Sequence, residues 1–135
     1  MKNIVVIDAN VILRYLLQDH PAHFERACQV FEEIKQGQLG GYIPEGVLVE
    51  CVYVLLKVYK VPKQEIVTTL TNLLYYKGII DENRELLIDS LILFGQVNVD
   101  IVDAIVVTTA RARGWSVFSF DQDLRKLQQK DDSVR

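Results

Sequence analysis

The chain has 135 residues, half of them hydrophobic, with 15 Lys and Arg against 18 Asp and Glu, a net charge of −3. That length suits one domain with one substantial core, and no run approaches the roughly 20 uncharged apolar residues of a membrane span. A pI of about 5.3 speaks against tight, metal-free, non-specific binding of nucleic acid, which asks for a basic surface.

In chain order, residues 2–7 read as a buried parallel strand built on "IVVI", with Asp8 at its C-terminal end. Asp8 interrupts this apolar run too early for a signal peptide, and a cytoplasmic protein is expected. A short helix follows from Val11 to Leu17. "HPAHFERACQVFEEIKQG" reads as an amphipathic helix: Pro21 suits its first turn, Phe24, Cys28 and Phe31 recur at helical spacing, and Gly37 stands past its end. His20 and His23 are read as surface residues of its start. "LGGYIP" is a short strand, and Pro44 opens a helix through "EGVLVECVYVLLKVY" that Val61-Pro62 breaks.

"PKQEIVTTLTNLLYYKG" is the next helix, and Gly78-Ile79-Ile80 a short strand. "ENRELLIDSLILFGQ" is helical, with Leu86, Leu87, Ser90, Leu91 and Phe94 facing inward. "DIVDAIVVTTARARG" is an almost fully buried helix ended by Gly114. "WSVFSF" reads as a strand, "DQDLRKLQQ" starts a last short helix, and residues 130–135 read as a frayed tail. Cys28 and Cys51 lie inside helical patterns without metal-type spacing and read as reduced core residues. Strands alternating with helices predict a three-layer α/β/α domain over 1–135, with a mostly parallel central sheet and an unusual share of helix.

Four carboxylates stand in or beside apolar runs. Asp8 and Asp121 each follow a predicted strand. Glu50 is the only charged residue between Gly46 and Leu56 and shares a helical face with Val47 and Val54, next to Cys51. Asp103 lies in "IVDAIVVTTA", beside Val102, Ala104 and Val106. Each has a bland explanation taken singly. Asp8 and Asp121 suit helix caps, Glu50 suits a structural ion pair, and Asp103 suits a pair with Arg111 or a cap on a neighbouring helix. A single explanation covers all four: two strand ends and two helix faces converge on one acidic pocket. Carboxylates so gathered raise one another's pKa values, and a divalent cation removes that penalty. Oxygen ligands without His or Cys suit Mg²⁺ or Mn²⁺, one or two ions, and not zinc.

The segments "VIDANVILRYLL", "PEGVLVECVYVLLKVY", "DIVDAIVVTTARARG" and "VFSFDQDLRKL" come in the order and spacing of the PIN-domain ribonucleases, and the chain most resembles the VapC-type toxins of toxin–antitoxin pairs. The resemblance runs nearly end to end. It implies that Asp8, Glu50, Asp103 and Asp121 are the catalytic and metal-binding acids. Ser119 matches the hydroxyl of the last motif and Asn10 the polar residue after the first Asp, both as supporting groups, and Asp100 and Asp123 are further acids beside the pocket. Ala9 replaces a frequent Thr, Tyr53 a frequent Trp and Ser119 a commoner Thr, but no acid is lost. The implied activity is metal-dependent cleavage of single-stranded or looped RNA. The implied partners are an antitoxin protein and a second copy of the chain.

Phosphate contacts are assigned to Arg14, Arg111, Arg113 or Lys126. The surplus of apolar residues also argues for partner surface, around Tyr15, Leu16, Leu17, Val52 and Tyr53. One rival reading is a haloacid-dehalogenase-like phosphatase, but Asn10 stands where that chemistry wants a second acid. Another is a non-catalytic RNA- or protein-binding module on the same fold.

Overall fold

The computed structural model describes residues 3–134, with side chains to 128. The chain falls into two compact units, Met1–Arg84 and Glu85–Arg135. The first holds strand β1 (Ile4–Val6), helices α1 (Ala9–Leu17) and α2 (Pro21–Gln36), strand β2 (Gly40–Tyr42), and helices α3 (Glu45–Tyr53) and α4 (Lys63–Leu74). The second is built on α5, which starts at the boundary (Arg84–Gln96), α6 (Ile101–Arg113) and α7 (Gln122–Val134). The α/β class, the parallel pairing and the richness in helix are as the sequence predicts.

β1 and β2 pair in parallel, Ile4 with Gly40, Val5 with Gly41 and Val6 with Tyr42. The predicted strand at 78–80 is a single parallel bridge between Gly41 and Ile79. Its hydrogen bonds are short: Gly41 N–H to Gly78 O at 2.9 Å and Ile80 N–H to Gly41 O at 2.8 Å. Lys2, counted in the first predicted strand, lies outside the described residues. The expectation of a buried β1 is corrected: Ile4, Val5 and Val6 are exposed and Ile7 is the buried residue. Among the described residues β1 has a strand partner only in β2.

Helix α2 has the predicted bounds, but its buried face is Ala27, Phe31 and Ile34; Phe24 is half-buried, and so is Cys28, which corrects its reading as a core residue. Pro21 occupies its first turn, Phe31 and Ile34 are fully buried, and Gly37 closes it at φ 81°, a left-handed position that favours glycine. Tyr15 of α1 is corrected from outward surface to packed residue. Its ring stacks on Phe31 with centroids 4.4 Å apart, and its hydroxyl lies 2.8 Å from that of Tyr76. Burial and the Tyr76 hydroxyl hold the Tyr15 phenol well above its ordinary pKa.

The helix predicted through residue 59 changes pitch. It is α-helical to Tyr53, then π-helical over Val54–Val58, where Tyr59 N–H reaches Val54 O at 3.2 Å. Leu48, Cys51, Val52 and Leu55 are buried, so Val52 belongs to the core and not to the predicted partner surface, whereas Tyr53, Val58 and Tyr59 remain exposed.

In the second unit, α5 buries Leu87, Ser90, Leu91 and Phe94 as its pattern predicts, together with Ile88 and Leu93, while Leu86, also read as inward, is half-buried. Ser90 Oγ–H donates to Leu86 O at 2.7 Å, which satisfies a hydroxyl placed in the core. α6 is less buried than expected, with Val102 and Val106 exposed. The predicted strand "WSVFSF" is not one. Residues 115–119 carry no regular secondary structure, and one side chain bonds the backbone where a strand would. Gln128 Nε2–H donates to Trp115 O at 2.9 Å and Gln128 Oε1 accepts from Val117 N–H at 3.1 Å. Phe118 and Phe120 are exposed. Helix α7 runs on to Val134, across most of the segment read as a frayed tail; Arg135 lies outside the described residues.

Gly78 sets the closest backbone approach. A Cβ there would collide with the carbonyl oxygens of Leu39 and Ile34, while one at Gly46 in α3 would meet nothing. Gly78→Ala is therefore expected to cost about 2–4 kcal/mol by forcing the Gly41 bridge apart. Gly46→Ala is expected to gain up to about 1 kcal/mol through helix propensity. Urea unfolding of the two variants checks both signs, and equal midpoints would refute the assignment.

Candidate active site

The candidate acids fall into two groups, one in each unit. In the first, Asp8 closes β1 and caps α1: its Oδ1 accepts from Ala9 N–H at 2.8 Å, and its carbonyl accepts from Val11 N–H at 3.2 Å. The bland reading of Asp8 as a cap is thus met, and a cap uses one carboxylate oxygen. Glu50 lies on α3, which packs on α1. Both acids are exposed, which corrects the expectation of a buried Glu50. Cys51 lies buried beside them and donates weakly to Ala9 O at 3.8 Å. Its thiol is pushed up to about 12, first by burial and then by the charges of Glu50 and Asp8. Asp8 and Glu50 therefore act on one neighbour, and that neighbour is a protonated, inert thiol.

The second group is denser. Asp100 caps α6, accepting from Asp103 N–H at 2.9 Å, and Asp103 lies in the first turn. Asp121 does the same for α7, its Oδ1 accepting from Asp123 N–H at 2.9 Å and Leu124 N–H at 3.4 Å. Ser119 Oγ accepts from Asp121 N–H at 3.0 Å and fixes the approach to that cap. Asp100, Asp103, Asp121 and Asp123 together line one cavity of about 220 Å³, with Asn98, Val99 and Leu124. Asp103 is half-buried there. Its carboxyl is held above the ordinary range, first by loss of solvent and then by the charges of Asp100 and Asp121.

The sequence pattern pointed to four acids and two neighbouring ones; this cavity gathers Asp103 and Asp121 with both neighbours. Asn10 is exposed in the first turn of α1. The predicted phosphate contacts are spoken for in different ways. Arg14 pairs with Asp19 at 2.9 Å, Arg111 donates to Leu127 O at 3.1 Å, and Arg113 lies over the Trp115 ring. Lys126 is exposed.

A family model described as PIN domain matches residues 5–130. The chain belongs to the PIN domain family. The match runs through both units and includes every candidate acid. No curated protein and no solved structure matches the chain. PIN domains are generally nucleases that act with a divalent metal, and among the described residues no helix is long and apolar enough to cross a membrane.

The raised Asp103 pKa fixes a sign. The unfolded chain releases this proton near the ordinary 3.8, while the folded chain holds it to higher pH. Between those two values the folded state binds more protons, so this group's contribution to stability falls as pH rises through the window. Asp103→Asn removes the term. Relative to wild type, the variant is expected to gain stability at neutral pH, with an advantage that shrinks as pH falls toward 3.8. Thermal unfolding of both proteins across that range measures it, and parallel profiles would show that Asp103 feels no repulsion.

Proposed function

We propose that this PIN-domain protein is an endoribonuclease that hydrolyses phosphodiester bonds in single-stranded or looped RNA with Mg²⁺ or Mn²⁺, and that it is the toxin of a toxin–antitoxin pair. The observation that carries the reading is the cavity lined by Asp100, Asp103, Asp121 and Asp123, in a chain whose family consists generally of nucleases. Among the described residues, no group of three or more His, Cys, Asp or Glu side chains is set closely enough to hold a metal. The donor chemistry nevertheless fits a hard divalent cation. The lining is carboxylate without His or Cys, and Asp103 carries a repulsion that such a cation would relieve. Mg²⁺ keeps several of its waters and needs only one or two direct carboxylates.

On this reading Asp8, Glu50, Asp103 and Asp121 are the metal-binding acids that the family resemblance implies. When bound, the cation supplies charge to the phosphate and lowers the pKa of the attacking water. The remaining work belongs to the chain. The caps at Asp8 and Asp121 fix their carboxylates against backbone N–H groups. Glu50 orients the attacking water, and Asn10, Ser119, Asp100 and Asp123 support the first set.

Cleavage of a labelled single-stranded RNA in Mg²⁺ or Mn²⁺, abolished by EDTA, is the primary test. Asp8→Asn and Asp103→Asn are each expected to lose at least about a hundredfold in rate while remaining folded. The double variant is expected to be little worse than the poorer single one, because groups that act as a unit are non-additive. Losses that multiply would place Asp8 and Asp103 at separate sites, and wild-type cleavage by Asp8→Asn would refute its role.

The toxin reading carries an oligomeric expectation of its own. Tyr53, Val58 and Tyr59 remain exposed along one stretch of helix, in a chain half of whose residues are hydrophobic. A homodimer that also receives an antitoxin segment would cover such surface. Light scattering behind size exclusion is expected to give twice the chain mass at micromolar concentration. A monomer throughout would remove the dimer and leave the nuclease untouched.

A further inference from the structure

Resting on the nuclease reading, we propose that the groove between α1 and α2 is a subsite for single-stranded RNA flanking the cleaved bond, with apolar walls for one unstacked base and guanidinium groups for its phosphate. The groove is a cavity of about 270 Å³, lined by Asn10, Val11 and Arg14 of α1 and by His23, Arg26 and Val30 of α2, with Ala27 at its floor. It is lined by no carboxylate, which is notable in a chain of net charge −3.

Three observations point to this occupant. The first is a guanidinium held in place at the groove. Arg14 lines it, its side chain is partly exposed, and its Nη1 is held by Asp19 at 2.9 Å. That pair keeps the guanidinium plane fixed for a phosphate oxygen.

The second observation is the company Arg14 keeps. Arg26 is exposed on the facing helix, so the groove carries a second guanidinium free to reach a phosphate. Val11, Ala27 and Val30 supply apolar wall, beside the Asn10 carboxamide and the His23 imidazole. A nucleotide has this same division, an anionic phosphate and a flat apolar base, and single-stranded RNA can splay its bases into such a wall. A solvated polyanion without bases would not need the apolar part.

The third is position. The groove begins at Asn10, in the first turn of the helix that Asp8 caps. It continues one turn along α1 to Arg14, the i+4 neighbour. A strand whose scissile phosphate stands at Asp8 has its next nucleotide beside α1, where the groove opens.

The test is fluorescence anisotropy of a fluorescein-labelled oligouridylate with the full-length chain, in EDTA to prevent cleavage and at several salt concentrations. Arg26→Gln is expected to weaken binding about tenfold and to lower the salt slope by roughly one phosphate contact. Arg26 is exposed, so this variant is expected to fold. Val30→Trp fills the groove without changing charge and is expected to weaken binding by a similar factor, with circular dichroism confirming its fold. Lys57→Gln, an exposed cation outside the groove, controls for general charge. Equal effects from Arg26→Gln and Lys57→Gln, or wild-type binding by both groove variants, would overturn the subsite. So would retained RNA binding by Val30→Trp together with loss of a protein partner, which would make the groove a peptide site. Groove-dependent binding without cleavage by the wild type in Mg²⁺ would overturn the nuclease reading and leave the subsite standing, and the reverse pattern would do the opposite.

Discussion

Helices begin with N–H groups that have no acceptor of their own, and much of the candidate site is built on that deficit. Asp8, Asp100 and Asp121 each answer it at the start of a different helix, at hydrogen-bond lengths of 2.8–2.9 Å. A cap is a positional constraint as much as a stabilising contact. It fixes the backbone entering the helix, the rotamer of the acid and the oxygen that is left over. Capping and ligation are therefore not rival explanations of these residues. A flexible surface Asp would have to be ordered by a metal ion at an entropic cost, whereas a capping Asp is ordered by the fold before any ion arrives.

The same arrangement creates an electrostatic cost. N-terminal turns attract acids through the helix dipole, and gathering the starts of α6 and α7 around one cavity gathers their acids as well. Asp103 bears the consequence, since it is the least solvated of them and feels both Asp100 and Asp121. Cys51 feels Glu50 and Asp8 in the same way, and at both groups burial is the larger cause. The two effects differ in meaning. A raised thiol pKa quenches a nucleophile that a nuclease has no use for, while a raised carboxyl pKa marks a place where positive charge is wanted.

Much of this was legible in the sequence because it rests on local chemistry. Caps, turn glycines and apolar spacing predict α1, α2, α5 and α6 nearly to the residue, and "IVVID" and "FSFDQ" announce acids at chain segments that end in a helix start. What failed depends on partners that are remote in sequence. Ile4–Val6 read as buried from composition, but burial of a strand is decided by what lies on its other edge and faces. "WSVFSF" has every β-forming residue a strand needs, yet Gln128 bonds the backbone at Trp115 and Val117. Val54–Val58 gave no sign of π geometry, since nothing in its residue types separates an i→i+5 turn from an i→i+4 one. Arg26 and His23 were invisible as lining residues for a similar reason: a charged face on an amphipathic helix looks solvated until a second helix is laid across it.

An acidic protein that handles an acidic polymer has to keep its charges apart, and the first unit shows one way of doing so. Asp19 neutralises part of Arg14 from one side and also accepts from the Tyr59 hydroxyl at 3.2 Å, so it is held away from the groove by two partners. The groove wall is left with guanidinium, imidazole, carboxamide and aliphatic groups. Screening then works in the molecule's favour. At physiological ionic strength exposed charges interact over roughly 8 Å, so a phosphate in contact with Arg14 and Arg26 responds mainly to them and little to the distant acids that set the net charge. Local composition of a wall, rather than the pI of the chain, decides what that wall can bind.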